Sequence, residues 1–326
     1  MGAMNRRPEM RMRDVLTLTL NPALDVSAET PQVVPGPKLR CAEARLDPGG
    51  GGVNVSRAIA RLGGTSRAVV ASGGVTGALL CDLLEAEGVQ VARLPISGLT
   101  RQSFAITDMS AGGQYRFVMP GPVWAAADVD GLWTLLDAVL TRDTLMVVSG
   151  SLPPGLSPDL PVRMNAYARA AGAAMVLDTS GAALVQAVEQ ATTPYHLLRV
   201  DGAEADELAG RPLTTPEDTA AFGRSLIASG RAEHAVMALG ATGTLGISAS
   251  ECFFCRPPLI ETVSAVGAGD SLVGAMVMAL ARGDGFRAAV AFGTAAAAAA
   301  VMTPATELCN RRDAEALLDR IEIEPF

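Results

Sequence analysis

Uninterrupted apolar runs alternate with amphipathic segments along most of the chain. VLTLTL (15–20), RAVVAS (67–72), TLMVVSG (144–150), AAMVLD (173–178), YHLLRV (195–200) and HAVMAL (234–239) have no consistently polar alternate face. That is the pattern of parallel strands buried on both sides. Asn54–Leu62, Ala78–Glu87, Leu160–Ala171 and Thr219–Ser229 instead repeat apolar residues at helical spacing. Repeated strand–helix–strand units predict an α/β fold with a doubly wound, mostly parallel sheet. In such sheets ligands bind beyond the carboxyl ends of the strands, so the loops that follow the strands are where chemistry is expected.

Two segments break the rhythm. Residues 25–47 and about 98–121 alternate or are punctuated by Pro and Gly, as in QYRFVMP after the Gly112-Gly113 turn. They predict a small antiparallel β-sheet inserted into the α/β domain as a lid or dimerisation surface, because so small a sheet cannot bury both faces alone. Residues 1–14 read as an N-terminal tail and 15–326 as the domain, with no internal repeat. The alanine run 295–300 reads as a tightly packed helix under a neighbouring loop.

Composition narrows the class. Aromatics are only 4% while hydrophobic residues reach 49%, so Ala and Val fill the core space that rings fill elsewhere. No apolar run reaches the roughly 18–20 residues that cross a bilayer, and the charged start lacks the apolar stretch of a signal peptide; the expectation is a cytoplasmic protein. Five scattered cysteines fit reduced thiols. Cys252 and Cys255 have C-x-x-C spacing but no second pair and no nearby His, which favours packed thiols on a strand over a metal site. A net charge of −8 argues against nucleic acid. Any phosphate ligand must then be met by local cations and backbone N–H groups.

Two glycine-rich segments could supply them. In AVGAGDSLVGAM (265–276), Gly267-Ala268-Gly269 lets backbone approach a ligand at the start of a helix whose free N–H groups and dipole favour an anion. Asp270, in its first turn, reads equally as a helix cap or as a base that accepts a hydroxyl proton. The Gly-x-Gly before it, which a plain cap does not need, tilts towards the base. In PGGGGVNVSRAIARLGG (48–64), consecutive glycines precede Asn54 and a helix. A dinucleotide loop should come directly off a strand, whereas this one follows a Pro and an irregular stretch; the glycines and Asn54 suit sugar hydroxyls better.

TLTLNPALD (17–25), GPKLRC (36–41), the 48–64 segment, TRQ (100–102), QYRFVMPG (114–121), SGSLPPG (149–155) and VGAGDS (266–271) occur in this order and spacing. Together they resemble the ribokinase-like (PfkB-type) family of carbohydrate kinases, and within it the bacterial 6-phosphofructokinase branch. The resemblance implies an enzyme that uses ATP as co-substrate and Mg2+ as cofactor to phosphorylate a ketohexose phosphate, most closely fructose 6-phosphate. Asp25, Gly50, Gly51 and Asn54 would hold the sugar hydroxyls, Arg101 would grip the substrate phosphate, and Lys38 would reach from a partner subunit in a homodimer built through the lid strands. Ser149 would lie near the sugar. Asp270 would take the proton, with Gly267, Ala268 and Gly269 forming the anion hole. The loop 238–246, with Gly240 and Gly243, would cradle ATP.

The family's Lys-Pro-Asn segment continuing to a Glu is Arg199-Val200-Asp201-Gly202-Ala203-Glu204 here, so Arg199 would meet the nucleotide and Asp201 and Glu204 would hold Mg2+ through water. Ala238 and Ala265 stand where hydroxyl residues are expected. Fructose 1-phosphate and tagatose 6-phosphate are alternative substrates on this reading. The four departures also motivate a reading of another class, a catalytically weak sugar-phosphate sensor.

Overall fold

The computed structural model describes residues 12–304 and 306–326; residues 1–11, most of the expected N-terminal tail, lie outside the described residues. In chain order the strands are β1 (Val15–Thr19), β2 (Ala23–Thr30), β3 (Arg45–Gly49), β4 (Arg67–Ser72), β5 (Gln90–Pro95), β6 (Arg101–Asp108), β7 (Gln114–Val118), β8 (Leu145–Ser149), β9 (Ala174–Asp178), β10 (Leu197–Asp201), β11 (His234–Ala238), β12 (Thr244–Ser248), β13 (Cys252–Arg256) and β14 (Glu322–Pro325). The helices are α1 (Gly51–Arg61), α2 (Gly74–Ala86), α3 (Ala126–Val139), α4 (Leu160–Ala170), α5 (Gly181–Glu189), α6 (Gly202–Ala209), α7 (Pro216–Ala228), α8 (Ala268–Arg282), α9 (Phe286–Val301) and α10 (Arg311–Leu318).

Ten strands form one sheet in the order β14-β13-β12-β11-β10-β9-β8-β1-β4-β5. From β11 to β5 every pairing is parallel; the β11–β12, β12–β13 and β13–β14 pairs are antiparallel. Each expected parallel strand is present. The chain builds outward from β1 to β4 and β5, then returns to place β8 on the other side of β1. The crevice beyond the carboxyl ends of β1 and β8 is therefore the switch point where a doubly wound sheet binds its ligands.

Burial on both faces explains the uninterrupted apolar runs. Leu145, Val147 and Val176 pack on one face with α1, α8, α9 and α10, while Met146, Val148, Met175 and Leu177 pack on the other with α3, α4, α5 and α7. Successive strand residues thus serve two separate cores. The same alternation separates the C-x-x-C cysteines: Cys255 is buried in the first core, and half-buried Cys252 packs against the second. An odd offset on a strand puts the two sulfurs on opposite faces of the sheet. The alanine run does form a tightly packed helix, α9, which packs against α8 and whose end meets a loop, Val263 and Ser264 both donating to the Val301 carbonyl. Gly293 of α9 comes so close that a Cβ there would lie 2.8 Å from the Leu272 carbonyl oxygen. Small side chains are what permit that approach.

The small sheet has the order β3-β2-β6-β7 and comes from the two segments that broke the rhythm. Its outer pairs, β2–β3 and β6–β7, are antiparallel, but the central β2–β6 pair is parallel. Antiparallel neighbours can be joined by short turns; β2 and β6 are separated by β3, α1, β4, α2 and β5, a connection long enough for a parallel crossover.

Candidate functional site

The carboxyl ends of β1 and β8 nearly touch the start of α1. A Cβ on Gly51 would sit 2.6 Å from the Gly150 backbone nitrogen and would overlap the Ser149 hydroxyl; one on Gly52 would lie 2.6 Å from the Leu18 carbonyl. Gly50, at φ 117°, turns the chain into the helix through a conformation that L side chains rarely adopt. The glycine run therefore brings the first turn of α1 against the sheet, and with it Asn54, one turn further on. Gly51→Ala should push that turn out of the crevice, raising the half-saturating sugar concentration and lowering the unfolding midpoint together. A fully active, equally stable variant would show that the close approach is dispensable.

Asn54 meets Asp270. Its Nδ2 donates to Asp270 Oδ2 at 2.9 Å, and its Oδ1 accepts from Arg57 Nη1 at 3.3 Å. The helix carrying Asp270, α8, begins at Gly267 in the left-handed conformation (φ 78°), and no side chain caps it. Asp270 is the third helical residue, from which a carboxylate could reach back to the helix end; here it accepts from Asn54 and makes no capping bond. The first-turn N–H groups have no intrahelical acceptors. Withdrawal from water, helped by the nearby Asp178 carboxylate, pushes the Asp270 pKa up to about 7, against opposing contributions from Asn54, Arg199 and Arg57.

Asp201 shows the other fate of an acidic residue at a helix start. It is the N-cap of α6: Asp201 Oδ1 accepts from the Glu204 N–H at 2.9 Å, and Glu204 Oε2 accepts from the Asp201 N–H at 2.8 Å. This is a reciprocal capping box. It commits one oxygen of each carboxylate and leaves Asp201 Oδ2 and Glu204 Oε1 outside the box. Burial raises the Glu204 pKa to about 6. Two carboxylates with uncommitted oxygens offer the all-oxygen donor set that a hard divalent cation takes.

Arg199 stands between these acidic groups. Its Nη1 donates to Asp178 Oδ1 at 3.0 Å and lies 3.9 Å from Glu204 Oε2. It flanks Gly269 so closely that a Cβ there would lie 3.1 Å from Arg199 Nη2. Asp178 Oδ2 also accepts from the buried Ser149 hydroxyl at 2.8 Å. Ser149 is thereby turned behind the crevice, while the neighbouring Gly150 faces it.

A cleft of about 360 Å³ joins these parts to the small sheet. Gly50, Gly51, Asn54 and Asp270 line it together with Asp25, Arg101 and Arg116 of the small sheet. Asp25 extends from β2, and burial raises its pKa to about 6 although Arg101 and Arg116 pull it down. Arg101 donates through Nη2 to the Asn21 carbonyl at 3.0 Å and through Nη1 to the Met119 carbonyl at 3.2 Å, while its buried Nε has no partner. A fixed guanidinium with an orphaned donor is a fitting seat for an anion. Lys38 lies on the exposed segment 31–44 and does not line the cleft. Gly240 and Gly243 bracket a short 3-10 turn after β11, at the same end of the sheet as Asp201.

Asp178 and Arg57 were missed by sequence reasoning. Asp178 ends a strand in DTSG with no motif around it, though a carboxylate at the carboxyl end of a parallel strand was a usable signal. Arg57 reads as an ordinary helix charge, yet its side chain is 1% exposed.

The chain matches the pfkB family carbohydrate kinase description over residues 18–313. It is 40% identical over 303 residues to the ATP-dependent 6-phosphofructokinase isozyme 2 of Escherichia coli K12, covering 92% of this chain and 96% of that one. To the 1-phosphofructokinase of the same organism it is 30% identical over 322 residues, covering 96% and 99%. The crystal structure of phosphofructokinase-2 from Escherichia coli in complex with fructose-6-phosphate superposes with a TM-score of 0.87 at 37% identity, covering 95% and 99%. The chain belongs to the pfkB family of carbohydrate kinases.

Proposed function

We propose that the protein transfers the γ-phosphoryl group of ATP to fructose 6-phosphate, giving fructose 1,6-bisphosphate, with Asp270 as the general base. The observation that carries this reading is the bond between Asn54 and Asp270 at the start of α8, in a cleft that Arg101 and Arg116 also line. The sugar hydroxyl gives its proton to Asp270 as its oxygen attacks the γ-phosphorus. The N–H groups of Ala268 and Gly269 and the Arg199 guanidinium face the charge that develops on the transferring group. Asp25, Asn54 and the backbone of Gly50 and Gly51 hold the sugar hydroxyls, and Arg101 and Arg116 take the substrate phosphate. The turn at Gly240–Gly243 lies on the nucleotide side. Asp201 and Glu204 would hold Mg2+ through water by the oxygens outside their capping box, and the ion, when bound, neutralises phosphate charge.

A coupled ADP-release assay over a panel of phosphorylated sugars tests the proposal. Turnover should be fastest on fructose 6-phosphate. Turnover of fructose 1-phosphate or tagatose 6-phosphate with none on fructose 6-phosphate would overturn the substrate assignment, and binding without turnover at any Mg2+ concentration would favour the sensor reading. Arg101→Ala should raise the half-saturating sugar-phosphate concentration and leave saturated turnover nearly unchanged. A fall in turnover alone would place Arg101 on the nucleotide instead.

The outer face of the small sheet supports a homodimer. Tyr115 and Phe117, which alternate with the cleft-lining Gln114, Arg116 and Val118, are 45% and 50% exposed on β7, apolar area that suits an interface. There Lys38 would reach the partner's cleft. Sedimentation of a monomer at micromolar concentration would reject this arrangement. The five free thiols and the use of ATP fit a cytoplasmic setting, and among the described residues no helix is long and apolar enough to cross a membrane.

A further inference from the structure

The chain has two histidines, and the fold brings both to one place. His196 immediately precedes β10 and His234 opens β11, a parallel pair in which Leu198 faces Ala235. Their rings lie 5.3 Å apart between centroids, edge to face. This is the amino end of the strands, whereas Asp201 and Ala238 mark the carboxyl end that carries the site described above. Glu233 joins the pair: its Oε2 is 2.7 Å from His196 Nδ1, and its Oε1 is held by Arg169. One donor atom from each of His196, Glu233 and His234 falls within 4.8 Å of the others.

We propose that His196, Glu233 and His234 form a binding site for a divalent transition-metal ion of borderline softness, with Zn2+ as the type. Two imidazoles and one carboxylate are a donor set that such ions take, a water completing a tetrahedron. His234 is already oriented for the role. Its Nδ1 lies 3.0 Å from the His196 carbonyl oxygen, which must accept a proton from it, and this leaves Nε2 with its lone pair. Ligating histidines are typically fixed by such a bond from the other ring nitrogen. The ion takes the place between His196 Nδ1 and Glu233 Oε2, with the ring proton of neutral His196 carried on Nε2, while Oε1 stays with Arg169. It ties β10 to β11 at the end remote from the cleft.

Calorimetric titration of the chelator-treated full chain with Zn2+ tests the site. One ion per chain should bind, and His196→Gln or His234→Gln should weaken binding by more than about tenfold, the scale on which even an outer-shell loss is felt. Cys41→Ser, which removes the exposed thiol, should change nothing. Absence of stoichiometric binding, retention of affinity in both histidine variants, or its loss in Cys41→Ser would overturn the proposal. Should the variants fold poorly, Co2+ added to the wild-type chain gives an independent reading. Visible ligand-field bands without a thiolate charge-transfer band are expected, and a strong thiolate band would assign the ion to cysteine instead.

Discussion

Asp270→Asn is expected to lower turnover by about 10²–10⁴, the usual worth of a general base, while leaving sugar-phosphate affinity nearly intact. The amide keeps the shape of the carboxylate but cannot take the hydroxyl proton. The wild-type rate at limiting sugar phosphate should rise with pH and level off above about 7, the pKa to which burial and Asp178 push Asp270. The same displacement has a stability signature of known sign. A carboxyl whose folded-state pKa lies above its unfolded value binds its proton more tightly when folded, so its contribution is complete below about 4 and is lost as pH rises to about 7. Each unit of displacement is worth roughly 1.4 kcal/mol, so ionising the folded carboxyl forfeits a few kcal/mol at pH 8. The amide of the variant does not ionise. Asp270→Asn should therefore gain stability over wild type progressively between pH 4 and pH 8, measured by urea unfolding at several pH values. An unchanged rate would remove Asp270 from catalysis, and a pH-independent stability difference would show that its burial does not strain the fold.

The central sheet was legible because a strand buried on both faces writes itself as an unbroken apolar run. Helix starts were less so. The expected helix from Asn54 begins at Gly51, and that from Ala78 begins at Gly74. Glycine is a poor helix former by propensity, but at Gly51 close approach to the sheet decides, and at Gly74 a left-handed backbone (φ 63°) against Leu99 does. Short solvent-edge strands such as β14, exposed throughout, carry no periodic signal and were not seen. At the site, Asp270, Asn54, Asp25 and Arg101 were found through glycine motifs and resemblance, and the fold brings them to one cleft. The sequence left Asp270 between helix cap and base and gave Asp201, read as a metal-side residue, no capping role. Only the structure shows one bonded into its own helix end and the other turned to Asn54. Arg57 and Asp178 escaped because their roles depend on partners remote in the chain, Glu87 and Arg199.

Arg57 has the largest expected effect on stability. Its side chain is 1% exposed, and its guanidinium forms a two-point pair with Glu87, with Nε to Oε2 and Nη2 to Oε1 each at 2.8 Å. Nη1 also donates to the Pro48 carbonyl at 3.0 Å, which anchors the start of the glycine loop. Buried Asp47 lies 3.8 Å away. Replacement by Met keeps much of the apolar stem and strands the Glu87 carboxylate and the Pro48 carbonyl, while Asp47 keeps Arg45 and Thr306. Breaking a fully buried pair from one side costs about 3–5 kcal/mol; with the Glu87 side chain still 28% exposed, the loss should fall at or below the lower end of that range and appear as a lower urea midpoint with the slope unchanged. Arg57→Lys should recover part of it, since an ammonium keeps the charge but not the fork. The chemistry should follow, because Arg57 holds the Asn54 amide so that its N–H faces Asp270. Without Arg57, Asp270 loses both a nearby positive charge and a fixed donor, two of the influences that hold its pKa down. The ascending limb of the pH–rate profile should then move to higher pH in folded Arg57→Met. A merely structural arginine would lower the midpoint and leave that limb in place; a change within about 0.5 kcal/mol, as for a surface residue, would show that the pair is not buried in solution.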